Sequence, residues 1–490
     1  MSKRVFEHEG RFREVWRDGS SVFTRFGRIG EGGHTKLEDA GSPADADRTL
    51  DALVAAWLAS GFDEAGGGGS VAAKAPIDGA ELDRQIASLP RLVDDPGYLV
   101  FADWVQSQGD PWGELVAVQY NVAHPSGKNR AAIEKKRAQL GKAEAELLDK
   151  LGAAILGPAA RHAQSRFEWH HGFLRTAVLG TAPDPALMLA ALQALLVHPA
   201  ARMLRGVVLH PVPTRFEVHR DWDSSPENIV DPWTDLAALA AAIPKTVTHV
   251  GFGGWPAPAA SAYVRMPTFT AISEAFPHVR RLELTGSAPD ELGTLALPML
   301  TDLELRFAEA SHGALTAIRE SALDKLERLS VWLGGNSHCV LDDLYAYEDG
   351  GYPDSHDGND LEQLEVHGVN GSVSAAELGE LIEAMPPTLK HLGIQSAMIT
   401  AEDLEAVIAH PRIAKLHTLD LSGGTLDDAA AKVLIAAKKQ LARIAVNVER
   451  NRIGAATAKK LAAALPKASV ANQRKEAEPE LFMRYVATME

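Results

Sequence analysis

A six-residue phrase, apolar-x-x-apolar-x-apolar, limits what this chain can fold into more than any other feature. It begins at Leu174 (LRTAVL) and returns at Leu204, Val247, Val279, Leu300, Leu326, Leu361, Leu389, Leu416 and Leu441. Neighbouring copies start 21 to 43 residues apart, and most fall in or near a period of roughly 20–29 residues. A short strand of this kind cannot cover its own apolar edge, so the copies must stack side by side. The fourth and sixth positions then point into a shared core. The third, fifth and seventh line the opposite face.

Between the strands lie helical stretches. AAELGELIEAM (Ala375 to Met385) and AEDLEAVI (Ala401 to Ile408) carry Leu and Ile three or four apart, and Ser374 and Thr400 stand at N-cap positions with an acid three residues on. Phrase, period and helices together resemble the leucine-rich repeat of the α-containing kind. The resemblance implies a leucine-rich-repeat solenoid over residues 161–472: an α/β fold with a curved parallel sheet and outer helices. It also implies that the inner sheet face binds a protein. That face is expected to carry Arg281, Glu283 and Thr285; Asp302, Glu304 and Arg306; Arg328, Ser330 and Trp332; Gln363, Glu365 and His367; His391, Gly393 and Gln395; and Thr418, Asp420 and Ser422. Trp and Arg dominate interface hot spots, so Arg281, Arg306, Arg328 and Trp332, with Glu365, His367 and His391, are the candidate protein-binding residues. An acidic, tyrosine-bearing insertion at 334–360 adds Tyr345 and Tyr347, which suit a basic partner. A shorter insertion of similar flavour lies around Arg220 to Pro232.

The remaining properties mostly exclude. At 490 residues the chain is too long for one core. It has no run of about 18 apolar residues, so no membrane span is expected. The opening MSKRVFEHEG lacks the apolar centre of a secretory signal. Cys339 is the only cysteine, so no internal disulfide can form and a reducing cytoplasm is the expected location. A net charge of −16 argues against coating nucleic acid with the whole surface. No GxSxG, P-loop, HExxH or dinucleotide fingerprint is present, so no enzyme, catalytic residue or cofactor is expected. Metal is not expected either: adjacent His170 and His171 on a strand would point to opposite faces. Asp354 to Asp360 lacks the glycine and glutamate spacing of a calcium loop.

Residues 1–64 differ in character. FREVWRD (Phe12 to Asp18) and SVFTRFGRIG (Ser21 to Gly30) alternate as two strands around Asp18-Gly19-Ser20. Leu50, Leu53, Val54, Trp57 and Leu58 follow helical spacing up to Gly61. The early aromatic strand, RFGRIGEGG (Arg25 to Gly33) and the helix closing on Gly61-Phe62 resemble the WGR domain, a small α+β unit. That resemblance implies contact with nucleic-acid ends or a neighbouring domain through Phe26, Gly27 and Arg28. Phe26 replaces the tryptophan that names the family, leaving a smaller ring without an N–H. Residues 1–36 carry an excess of three positive charges, as phosphate contact requires. Arg25, Phe26, Arg28 and Lys36 are therefore the candidate nucleic-acid-binding residues.

Residues 65–80 contain GGGGS and read as a flexible linker. Residues 81–160 read as helical. Tyr98, Val100, Phe101, Trp104 and Val105 mark one helix face, Gly109-Asp110-Pro111 breaks it, and a second helix starts near Trp112. FADWVQSQGDPWGELVAVQ resembles the repeat-companion domain found ahead of leucine-rich repeats in bacteria with large genomes. Asn129 to Leu151 reads as a charged, solvated helix. The aromatic run from Phe167 to Phe173 is expected to cap the open end of the array, and residues 473–490 form a tail. The whole reads as a non-enzymatic binding scaffold. The alternative is a regulatory DNA- or RNA-binding protein in which the WGR-like unit carries the binding.

Overall fold

The computed structural model describes residues 4–8, 11–18, 21–28, 34–40, 42–60, 62–64, 78–89, 96–161, 164–212, 230–253, 264–289, 291–307, 312–333 and 373–474. The chain divides into two compact units, Met1–Ser88 with Ser107–Asp110, and Leu89–Gln106 with Pro111–Glu490.

The first unit is built on a five-stranded antiparallel sheet: β1 (Arg4–His8), β2 (Arg11–Asp18), β3 (Ser21–Arg28), β4 (His34–Asp39) and β5 (Asp63–Glu64), ordered β4-β3-β2-β1-β5. The two strands expected from alternation are β2 and β3; the other three carry too little alternation to announce themselves. Helix α1 (Pro43–Ala59) starts where Ser42 caps the Asp45 N–H, with proline in the first turn. Its Val54 and Trp57 close over Phe6, Val15, Val22 and Phe62. Helix α2 (Gly79–Ser88) completes this unit's helices.

The second unit contains a ten-stranded sheet running in strict chain order: β6 (Arg166–His170), β7 (Phe173–Thr181), β8 (Gly206–Pro211), β9 (His249–Phe252), β10 (Arg281–Gly286), β11 (Asp302–Phe307), β12 (Arg328–Trp332), β13 (His391–Gln395), β14 (Thr418–Asp420) and β15 (Ala445–Asn447). Only β6 and β7 pair antiparallel; from β7 onward each strand bonds in parallel to the next. Parallel neighbours need a crossover. Helices fill most of these: α6 (Pro185–Val197), α7 (Leu236–Ala242), α8 (Phe269–Ala275), α9 (His312–Arg319), α10 (Ala375–Ala384) and α11 (Ala401–Ala409). Ser374 with Glu377 and Thr400 with Asp403 form complete capping boxes on α10 and α11, where the sequence placed them.

One sequence expectation needs correction here. The last phrase was framed at Leu441, but the sheet aligns Leu419 with Val446, two residues later than that frame implies. Leu441 and Ile444 are also buried, so the apolar pattern fits two frames and only the backbone register separates them. The phrase at Leu361 lies outside the described residues. In the sheet, β12 bonds directly to β13, Arg328 opposite His391.

Three helices precede the sheet: α3 (Gly97–Ser107), α4 (Trp112–Ala123) and α5 (Arg130–Leu156). Phe101 and Trp112 converge on the fully buried Phe173, with ring centroids 5.5 and 5.1 Å away. Val100 points out instead, at 71% exposure. Trp112 Nε1 donates to the Gly172 carbonyl at 2.7 Å, and the Gly172 N–H donates to Gln119 Oε1 at 2.6 Å. Gly172 has φ +80°, and a Cβ there would lie 2.3 Å from Val116 Cγ2. Glycine is what lets α4 approach the β6–β7 turn so closely. Among the described residues, no helix is long and apolar enough to cross a membrane.

Candidate nucleic-acid and protein-binding faces

On the small sheet, Arg13 pairs across to Phe6 on one side and Phe26 on the other, and Phe26 pairs to His34. Arg13 lies over the Phe62 ring at 4.3 Å and the Trp57 ring at 5.5 Å. This cation–π stack fixes a guanidinium beside the end of the core. Phe26, a few positions beyond buried Val22 on the same strand, is 45% exposed. Register and the two-residue pleat set positions 26, 28 and 36 on the face shared with Val22, and position 25 on the other. Arg25 faces Glu14 in register and Arg28 faces Arg11.

On the large sheet, polar side chains at the third, fifth and seventh positions pair with one another between β9 and β14. His249 Nε2 lies 3.0 Å from Glu283 Oε1, and Arg281 Nε donates to the same oxygen at 2.8 Å. Arg281 also lies 3.7 Å from Glu304, which Arg306 grips in turn. Arg328 pairs with Asp302 at 3.2 Å. Burial alone would push the Glu283 carboxyl up, but the hydrogen bond and charge of His249 and the Arg281 guanidinium outweigh it and hold the pKa at about 2. Beyond β12 the ladder continues with fewer charges. Ser330 Oγ donates to Gln395 Oε1 at 2.8 Å, Gln395 Nε2 donates to Asp420 at 3.1 Å, and His391 Nδ1 meets Thr418 Oγ1 at 2.6 Å. Burial, then the charges of Arg328 and His417, lower the His391 pKa.

Three of the seventh positions differ from expectation, while Arg306 and Gln395 stay partly open. Thr285, Trp332 and Ser422 are all buried, Trp332 at 6% exposure. Alternation correctly gives their face but not their accessibility, because neighbouring rungs close in at the strand ends. Gly253 shows how closely: a Cβ there would sit 2.1 Å from the Thr285 carbonyl oxygen. Trp332 therefore contributes no open surface. Arg281 and Arg328 remain about half exposed, while Arg306 is held at 23%. Glu365, His367, Tyr345 and Tyr347 lie outside the described residues, as do Cys339, Asp354 to Asp360 and the side chains of Arg25, Arg28 and Lys36.

His170 and His171 also differ from expectation. His171 occupies the β6–β7 turn with φ +47°, and this left-handed step brings the two rings to 4.1 Å rather than to opposite faces. Tyr98, Tyr120 and His124 pack around His171 with centroids at 4.8, 5.2 and 5.7 Å. Among the described residues, no group of three His, Cys, Asp or Glu is placed to hold a metal ion.

Residues missed in the sequence include Asn451, which is fully buried. Its Oδ1 accepts from the Leu426 N–H at 3.0 Å, and its Nδ2 donates to the carbonyls of Leu421 at 2.8 Å and Val448 at 3.1 Å. The signal was present as Val446-x-Val448-x-x-Asn451, but the shifted frame hid it.

Residues 12–68 match the WGR domain, so the first unit contains a module of that nucleic-acid-binding type. A crystal structure of a Bacteroides fragilis protein aligns over 100% of this chain and 99% of its own, at 15% identity and a TM-score of 0.40. A likeness that loose fixes neither fold nor function. No curated protein matches the chain.

Proposed function

We propose that this chain is a non-enzymatic binding protein whose WGR module contacts nucleic acid while its large sheet holds a protein partner. The WGR match at 12–68, with Phe26 left exposed on β3, carries the reading. The ring offers a stacking surface, and the positions of Arg28 and Lys36 on the same pleat face supply the cations that phosphate needs. The second unit is read as a leucine-rich-repeat array preceded by its companion helices. Strands in chain order support this, as does the segment Val446-x-Val448-x-x-Asn451-x-Ile453 with its buried asparagine. The pre-paired Arg281, Arg306 and Arg328 lose little side-chain freedom on binding, which favours a protein interface there. His391 stands on the same face.

A gel shift of the full chain against a DNA duplex in graded salt tests the first half. Phe26→Ala and Arg28→Ala should each weaken binding several-fold; no change in either sinks the nucleic-acid reading. Arg281→Ala with Arg328→Ala should abolish capture of the protein partner, and retained capture would remove the sheet face from the interface.

A further inference from the structure

The first half of α5 departs from how helices usually distribute charge. Between Lys128 and Lys142 stand six cations, Lys128, Arg130, Lys135, Lys136, Arg137 and Lys142, against the single acid Glu134, in a protein of net charge −16. Asn129 caps the helix by accepting from the Ala132 N–H, yet the first turn holds no acid and Arg130 occupies its first position. Cations at that end oppose the helix dipole. Arg130 precedes its partner Glu134 by four residues, the less favourable order for such a pair. A rule broken this consistently, without a packing reward, points to a use for the charge.

Packing gives no such reward. Burial on α5 is confined to Leu147, Leu151, Gly152, Ile155 and Leu156 in its second half. No residue from Arg130 to Glu146 is buried, and all six cations are exposed. Lys136 donates to Ser126 Oγ at 3.1 Å. Among the described residues, Lys128, Lys135, Arg137 and Lys142 make no ion pair or hydrogen bond. Seven-residue spacing sets Lys135 with Lys142, and Arg130 with Arg137, in two axial rows each about 10 Å long.

We propose that this basic half-helix is a second nucleic-acid contact, gripping the phosphate backbone of a duplex; the proposal rests on the nucleic-acid reading of the WGR module. Lys128 to Lys142 spans about 20 Å, a length of duplex carrying on the order of ten phosphates. A single strand is the weaker fit, since α5 offers no aromatic platform for unstacked bases. A lipid surface needs an apolar outer face to bury, and the outer face here is Lys135, Gln139 and Lys142. An acidic protein partner needs anchoring aromatics, which this segment lacks. Two weak contacts on one chain then reinforce each other through effective concentration.

The test uses the full chain carrying Lys128→Gln, Lys135→Gln, Arg137→Gln and Lys142→Gln together, titrated with a fluorescent DNA duplex of about 20 base pairs, a length matched to the phosphate span. The slope of log affinity against log salt should become shallower by about three to four, on the order of 0.9 per lost phosphate contact, and affinity at low salt should fall at least about tenfold. Thermal stability should hold, because the four side chains make no ion pair or hydrogen bond among the described residues and none lies in the first turn of α5; a drop would move the test to Lys135→Glu with Lys142→Glu, which should weaken binding equally. An unchanged slope overturns the proposal. So does loss of binding to phosphatidylserine-rich vesicles, or of self-association in sedimentation, while duplex affinity stays intact. Phe26→Ala and Arg28→Ala are measured alongside. If they alone abolish binding, α5 is excluded and the WGR reading stands. If only the glutamine variant weakens it, the WGR reading fails and α5 stands. Silence from both, or no duplex binding at all, removes both.

Discussion

Asn451 and Glu283 show what single residues contribute to the large sheet. Each polar atom of the Asn451 amide has a buried backbone partner, so Asn451→Ala leaves the Leu426 N–H without its acceptor and takes the amide donor from the Leu421 carbonyl, while the Val448 carbonyl keeps Gln473 Nε2 at 2.8 Å. The cost should be about 3 kcal/mol, seen as a lower urea midpoint at unchanged slope. Glu283 makes acid sensitivity specific. Its folded pKa of about 2 lies below the ordinary 4.5, so the unfolded chain takes up a proton first as pH falls. The Glu283 contribution is complete above pH 4.5 and declines toward pH 2, by up to about 3 kcal/mol. His170, through burial and then the charges of His171, Arg175 and His124, and His391 are likewise lowered from 6.5. Their unfolded forms protonate first, so a separate loss begins as pH passes below 6.5. Melting temperature against pH should show both windows. Glu283→Gln should flatten only the lower one, and an unaltered profile would remove the ion pair from the explanation. Neither residue could be weighed from the sequence. Alternation placed Glu283 on the right face, but its partners come from β9 and a neighbouring position of β10, and distance along the chain says nothing about them.

Whole elements were more legible where one local signal decides them. Ser374 and Thr400, each three residues before an acid, gave the starts of α10 and α11 because a capping box is closed within four residues. Thr400→Ala should cost about 1 kcal/mol, read as faster amide exchange in the first turn of α11 with little change elsewhere; uniform acceleration across the sheet would show that the cap has wider reach. The strands were found at their starts because the LxxLxL spacing is itself the burial pattern. Among the described strands the frame failed at β15, where four apolar residues, Leu441, Ile444, Val446 and Val448, satisfy it in two ways. In the small sheet β1, β4 and β5 were missed, since strands this short are fixed by their partners rather than by their own alternation. The Arg13 stack on Trp57 and Phe62 was hidden for the same reason. It joins β2, α1 and the residue just before β5.

At the scale of the molecule, the large sheet is a one-dimensional object. From β7 to β15 each interior strand bonds only to the strands immediately before and after it in the chain, so stability should propagate between nearest neighbours rather than through a central core. Leu305 on β11 is fully buried, and Val446 on β15 nearly so. Leu305→Ala should remove on the order of 2–5 kcal/mol locally, with hydrogen exchange rising in β10 and β12 on both sides and fading by β7 and β14. Val446→Ala, at the end of the array, should loosen β14 and β15 while leaving β7 to β11 at native protection. The contrast is the informative part. A compact core would answer both substitutions everywhere at once, because any opening large enough to admit exchange would break contacts shared by every strand. Equal acceleration throughout the sheet after either change would therefore mean that the rungs unfold as one unit, and the polar ladder from His249 to Asp420 would then be the element binding them together.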